Sequence, residues 1–258
     1  MAGNRLIRFL DYIPPLIAFA AAVVGVLGAP KWDAQAAGLS RVTPMGWLVL
    51  AIGATALCAS ILLTARNRRE QTNQKQAKER ITEIGKSQIL RAINHTVFPF
   101  QHEAIWRRQC GRPESPRDLL DNARRECLAT LDLNSDSTYR NGSFDVVKWY
   151  NLLQSAAQKG AEEIRIALQI YASYLPPEVM EVTTSLLYSK FLQYRLLLIH
   201  DVIDANTHND PNRPVLFFWV RNDRMHNAEY EEFWDLLAKA MTLCGAQTTS
   251  AGNPRFLY

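Results

Sequence analysis

The chain contains 258 residues, 29 of them basic, 25 acidic and 48% apolar, with a mean hydropathy of -0.15. Those averages fit an ordinary globular protein and hide an asymmetry. Before residue 65 the only charged side chains are Arg5, Arg8, Lys31, Arg41, Asp11 and Asp33, so 25 basic and 23 acidic residues follow. This distribution excludes a wholly water-exposed chain, a disordered polymer, a collagen, a disulfide scaffold and a many-span transporter.

Ile13 to Ala29 is an uncharged, almost wholly apolar run of 17 residues. A hydrocarbon core of about 30 Å needs roughly 17–25 helical residues, so this run sits at the short limit. Pro14 and Pro15 fall in its first turn, where the missing N–H groups have no helical partner in any case. The alternative is a cleaved signal peptide: Arg5 and Arg8, an apolar stretch, then Ala34-Gln35-Ala36 as cleavage site. A second run, Met45 to Leu63, is long enough to span comfortably. Tyr12, Trp32 and Trp47 lie near the expected water interfaces, where amphipathic rings settle.

Arg66, Arg68, Arg69, Lys75, Lys78 and Arg80 follow the second run directly, whereas Lys31 and Arg41 are the only cations between the runs. Basic residues stay on the cytoplasmic side, which predicts a multi-pass protein of a bacterial-type inner membrane with both termini cytoplasmic. Cys110, Cys127 and Cys244 are then expected as reduced thiols packed like small apolar groups. Neither run holds an ionisable residue, which argues against a coupled transporter. Both carry small residues at helical spacing: Ala18 with Ala22, Ala21 with Gly25 and Gly28, and Ala56 with Ser60. Such faces let helices approach closely, within one hairpin or between copies of the chain.

Residues 66–91 hold eight basic side chains against Glu70, Glu79 and Glu83. Beside a bilayer they suit anionic head groups, with Arg66, Arg68, Arg69, Lys75 and Lys78 as the contacts. Nucleic-acid binding would use the same charges, but no aromatics are interleaved. The stretch favours helix, and Ile81, Ile84, Ile89, Ile93 and Val97 follow near one face.

Further along, Ser115 can cap a helix that has Pro116 at its first position and runs to about residue 131. Leu133 to Gly142 reads as a polar loop. Residues 144–174 and 178–205 read as two long helices joined across Pro176-Pro177, an antiparallel hairpin. Val215 to Val220 reads as a helix or an extended core-filling segment, because no second strand is apparent to pair with it. Residues 227–243 form a final amphipathic helix with Tyr230, Phe233, Trp234, Leu237 and Met241 inward. Trp106, Trp149, Trp219 and Trp234 are the expected core anchors.

The expected fold is therefore all-α, in four parts. Residues 1–64 form a two-helix transmembrane hairpin with spans at 13–29 and 45–63, and 65–98 form a basic helical stalk. Residues 99–245 form a cytosolic helical bundle, and 246–258 a flexible tail.

The chemistry-bearing clusters are weak. His200 and Asp204 share a helical face with His208 a turn later, a spacing that suits a divalent metal. The histidine that an HD-type phosphohydrolase needs upstream of His200-Asp201 is missing. His95 and His102 are separated by Pro99. Asp132, Asn134 and Asp136 match the start of a calcium loop, but Ser137 and Ser143 stand where glycine and glutamate belong. No nucleophile elbow or phosphate-binding glycine loop occurs, and no cofactor is implied. The sequons at Asn94 and Asn141 would be silent on the cytosolic side.

These features point to a membrane-anchored interaction protein, a sensor, adaptor or assembly partner that recruits a cytosolic protein or a second copy of itself. The second possibility is an oligomerising effector that perturbs the membrane. Two spans plus a cytosolic helical domain resemble in layout the toxic effectors of bacterial anti-phage defence systems, without a shared motif. A metal-dependent enzyme using His200 to His208 is the third.

Overall fold

The computed structural model describes residues 44–106, 110–140, 142, 145–208, 210–220 and 227–256, together with Ile17, Phe19, Ala20, Val23 and Gly25. The described chain is mostly helical. Contacts divide it into two compact units, Met1–Ala77 and Lys78–Tyr258. The expected first span, 13–29, lies outside the described residues except for those five positions, which are helical.

The longest element, α1, runs from Pro44 to Val97 as one helix of 54 residues. Its middle is rich in Gln, Lys, Glu and Arg, which keep rotamer freedom in a helix. It stops at Val97 because Pro99 disfavours the α conformation at Phe98, and the chain tightens into a 3-10 turn at Phe98–Gln101. From Gly46 onward α1 contains the one helix among the described residues that is long and apolar enough to cross a membrane.

The second unit begins inside the segment expected to be a free stalk. Ile89, Ala92, Ile93 and Val97 are fully buried, so the boundary falls at Ala77–Lys78 rather than near residue 98. The cause is a partner helix, α4 (Trp149–Tyr171), which runs antiparallel to this part of α1. Thr82 Oγ1 donates to the Tyr174 carbonyl at 2.8 Å, and farther along His95 meets Glu163. The buried face of α4 carries Leu153, Ala157, Gly160, Ala161, Ile164 and Ala167, spaced by three and four residues. Small residues dominate that face and let the helices approach closely.

After the short α2 (Glu103–Trp106), Ser115 caps a 3-10 turn at Pro116–Leu120. Asp118 Oδ2 accepts from Ser115 N at 3.0 Å, and Ser115 Oγ accepts from Arg117 N at 3.3 Å, a capping box. The expected helix of 116–131 is thus two pieces, the turn and α3 (Asn122–Ala129), because Asp121 adopts an extended conformation between them.

Two strands interrupt the expected all-α domain. β1 (Asp136–Arg140) pairs antiparallel with β2 (Val146–Lys148), where a polar loop and a helix start were expected. Thr138, Tyr139, Val146 and Val147 favour the pleated conformation. Asn141-Gly142 stands between them in sequence, the dipeptide that tight hairpin turns prefer. Val215–Phe217 is extended: Leu133 N donates to Val215 O at 2.8 Å, and Phe217 N to Leu131 O at 2.9 Å.

The second long helix expected at 178–205 is broken. α5 (Pro177–Leu187) ends at Tyr188, a π-helical turn occupies Phe191–Leu196, and α6 (Ile199–Thr207) follows. The Leu197 N–H reaches back five residues to the Leu192 carbonyl at 3.0 Å. The wider turn buries Phe191, Leu192 and Leu196 together and leaves Tyr194 60% exposed.

The last helix, α7 (Asn227–Leu243), buries Tyr230, Phe233, Trp234, Leu237 and Met241 as its pattern predicts. Trp106, Trp149, Trp219 and Trp234 are all buried. Phe100, Phe191, Phe233 and Trp234 form the centre of the core, with edge-on ring contacts as close as 4.9 Å. Gly245, at φ 81°, closes α7: Ala246 N donates to Met241 O, and Gly245 N to Thr242 O, both at 3.0 Å.

Residues 246–256 of the expected flexible tail are docked. Phe256 is 2% exposed, and its N–H donates to the Glu114 carbonyl at 2.9 Å. A small turn closed by Thr249 N to Asn253 O at 2.8 Å folds it back. One aromatic anchor outweighs a Gly-, Ser- and Thr-rich composition.

Candidate functional site

The apolar stretch of α1 has a mean hydropathy of 2.3, and its described side chains from Trp47 to Leu63 are exposed or half-buried. Trp47, Ile52, Leu62 and Leu63 all present half or more of their surface, or close to it. Of the residues expected to pack helix on helix, Ala18, Ala21, Ala22 and Gly28 lie outside the described residues. Gly25 is helical with open space where a Cβ would stand. Ala56 is exposed, and the Ser60 carbonyl accepts from Thr64 Oγ1 at 2.8 Å. Both offer a small-residue face without a seated partner among the described residues.

Arg66, Arg69, Lys75 and Lys78 are exposed on α1, and Arg68 is half-buried. Arg66 Nε holds Glu70 at 3.0 Å, a surface pair that contributes little to stability. Residues 69–80 are exposed on every face, so this part of the helix is held by propensity and such pairs rather than by packing.

The candidate metal cluster does not assemble. His200 Nδ1 lies 3.0 Å from Asp204, as the spacing predicts, but both are substantially exposed. The His200 ring packs edge-on to Tyr150 at 5.4 Å, and His208 is the exposed C-terminal cap of α6. Among the described residues no group of three or more His, Cys, Asp or Glu is placed to hold a metal ion.

The other clusters are structural. His95 Nδ1 meets Glu163 at 2.6 Å, whereas His102 stacks edge-on against Trp149 at 5.7 Å, so the two histidines do not converge. The calcium-like loop is a clasp. Asp132 Oδ1 accepts from Asn134 N at 3.0 Å and Val215 N at 2.9 Å, and Lys148 Nζ donates to Asn134 Oδ1 at 2.8 Å. A lysine at its centre opposes a divalent cation.

One surface feature went unread in the sequence. Between α1 and α4 lies an open groove of about 360 Å³, lined by Gln88, Arg91, Glu163, Ile166, Ile170 and Tyr171. Ile166 and Ile170 are 44% and 60% exposed. Ile84 and Tyr174, one turn away along the same segments, are 50% and 39% exposed. Glu163 is engaged by His95, while Arg91 has no acidic partner among the described residues. The signal was present: Ile166, Ile170 and Tyr174 recur at i, i+4 and i+8 beside the buried stripe. The apolar arc of α4 is therefore wider than one core contact needs.

Comparison with protein-family models, with curated proteins and with solved structures found no match to this chain.

Proposed function

We propose that the protein is a membrane-anchored interaction protein that recruits a soluble partner through the α1–α4 groove. The observation that carries this reading is the unburied apolar stretch of α1, which leaves a span-length hydrophobic surface needing lipid. The cation asymmetry around Met45–Leu63 orients the chain, with the C-terminal unit in the cytosol and the 13–29 run as a second span of an inner-membrane hairpin. A helix rises 1.5 Å per residue, so Arg66, Arg68 and Arg69 lie within about 9 Å beyond Leu63, and Lys75 about 18 Å beyond. Screening in physiological salt acts over about 8 Å. For a helix near the bilayer normal, the first three therefore make the anionic-lipid contacts and Lys75 stands clear. A reporter fused after Tyr258 is expected to be active in the cytosol alone; periplasmic activity would reverse this placement.

The groove suits an apolar segment carrying an acidic side chain, since its exposed isoleucines lie beside Arg91, which has no acidic partner among the described residues. Full-length protein in mild detergent is expected to capture one such partner at fixed stoichiometry. Ile166→Glu with Ile170→Glu, or Arg91→Glu, is expected to lower capture by about tenfold or more, the scale of losing one interface anchor. Tyr188→Ser, at an exposed tyrosine outside the groove, leaves it unchanged. Capture indifferent to the groove variants overturns the assignment. Depolarisation of cells on overexpression, abolished by Ala56→Leu, would place the protein among oligomerising membrane effectors instead.

A further inference from the structure

We propose that Cys110 and Cys127 form a redox-active dithiol, a site that low-molecular-weight disulfides such as oxidised glutathione convert to an intramolecular disulfide. Their Sγ atoms stand 3.0 Å apart, about 1 Å beyond a disulfide bond. The two residues come from different elements: Cys127 lies in α3, and Cys110 in the connection before the Ser115-capped turn. Both are partly exposed, so a small disulfide can reach them. Cys244 is buried and Cys58 lies in the apolar stretch of α1; among the described residues neither has a thiol beside it.

The contacts set the order of reaction. Cys110 Sγ also lies 3.1 Å from the Ala123 carbonyl, to which its thiol donates; either thiol could bridge the two sulfurs, and with the Cys110 proton on that carbonyl the bridging donor is Cys127. Burial, and then the hydrogen bond with Cys110, push the Cys127 thiol up to about 11. Cys110 therefore attacks first. Its thiolate displaces one glutathione thiolate, which takes up a proton, and leaves a mixed disulfide on Cys110. The Cys127 thiol then loses its proton, and its sulfur attacks Cys110 Sγ and expels the second glutathione. The protein dithiol is oxidised, and one glutathione disulfide is reduced to two thiols.

The new bond would bridge the turn at Pro116–Leu120. Flanking and within that turn, the Glu114 carbonyl receives the tail at Phe256 N, and the Leu119 carbonyl receives the Tyr230 hydroxyl at 2.9 Å. Oxidation thus fastens the segment on which the tail and α7 are hung. The pairing does not depend on membrane orientation. If the unit faces a glutathione-reducing cytosol the pair rests as thiols, and it oxidises only under stress.

The test uses full-length protein in detergent, titrated with oxidised glutathione, blocked with N-ethylmaleimide and mapped by mass spectrometry. The expected result is loss of two free thiols, with a Cys110–Cys127 linked peptide that dithiothreitol releases. In Cys127→Ser a single glutathione adduct remains on Cys110, and in Cys110→Ser Cys127 stays unmodified. Oxidised wild type is expected to melt higher by on the order of 5–10 °C, while both serine variants show no oxidant-dependent shift. A linkage to Cys244, a linkage between copies, or four thiols still free after oxidant would each overturn the proposal.

Discussion

Arg125→Ala is expected to lower the melting temperature of the C-terminal unit by roughly 10 °C, the equivalent of about 3–5 kcal/mol, followed by tryptophan fluorescence of the full chain. Arg125 is 2% exposed, yet its guanidinium points in three directions. Nε donates to the Val220 carbonyl at 3.2 Å, Nη1 to Glu231 at 3.0 Å, and Nη2 to Asn227 Oδ1. The plane also lies over the Tyr230 ring at 4.9 Å. One side chain of α3 thereby ties down the 3-10 turn at Phe218–Val220 and the first residues of α7. Burying a cation is costly, and what offsets it here is the fork of donors rather than the carboxylate alone. Truncation strands the Val220 and Asn227 acceptors and opens a void between α3 and α7. Arg125→Lys keeps the charge and one hydrogen-bond direction, so it is expected to cost about half as much. Glu231→Gln is expected to change stability by less than about 1 kcal/mol, because the carboxylate is 45% exposed and water replaces it. If Glu231→Gln were as damaging as Arg125→Ala, the ion pair and not the fork would be the stabilising element.

Nothing in the local pattern marks Arg125, which lies in a charged run, Arg124-Arg125-Glu126, that reads as solvated surface. Its three partners lie 95 to 106 residues away. The same division holds elsewhere. Helix α7 was legible because one period of apolar residues and one glycine stop coincide with its ends. The Ser115-Pro116 cap was legible because its hydrogen bonds are made within four residues. The break in 178–205 was not. Val182, Leu186, Phe191, Leu198 and Val202 fit a continuous helix closely, and only the burial of Phe191 against Tyr230 and Phe233, each at 5.3 Å, favours the wider turn. At the hairpin, Asn141-Gly142 carried the signal, but short strands flanked by polar residues resemble a loop until their partner is known. The i,i+4 spacing did bring His200 to Asp204, whereas a metal site needs a further ligand that spacing alone does not bring. The groove and the Cys110–Cys127 contact are tertiary facts, made where α1 meets α4 and where the chain returns to α3.

Gly160→Ala is expected to destabilise the unit by about 2–4 kcal/mol, although alanine favours a helix over glycine by about 1 kcal/mol. A Cβ built at Gly160 would stand 1.9 Å from Thr96 Oγ1, 3.0 Å from Thr96 Cβ and 2.8 Å from the Ala92 carbonyl. Side-chain rotation can relieve the hydroxyl. It cannot move the carbonyl, which belongs to the backbone of α1. The helices must separate, and every contact along the seam from Ala157 to Ala167 loosens with them, including the His95–Glu163 pair, whose Glu163 lines the groove. Thr96→Ala in the Gly160→Ala background removes the closest clash and leaves the backbone contact, so it is expected to restore part of the loss but not all. Gly85→Ala is the control on the same helix pair. There the nearest atoms are Cβ and Cγ of the half-buried Tyr171 at 3.0 Å. Rotation moves the Cγ but not the Cβ, so α4 must give by a small displacement, far less than the 1.9 and 2.8 Å contacts demand at Gly160. The expected cost is about 1 kcal/mol. Equal costs at the two glycines, or a stabilising Gly160→Ala, would mean that α1 and α4 do not meet backbone to side chain at this crossing. If the costs divide as expected, partner capture by Gly160→Ala should fall even though no groove-lining residue has changed, because the groove's width is set by that crossing.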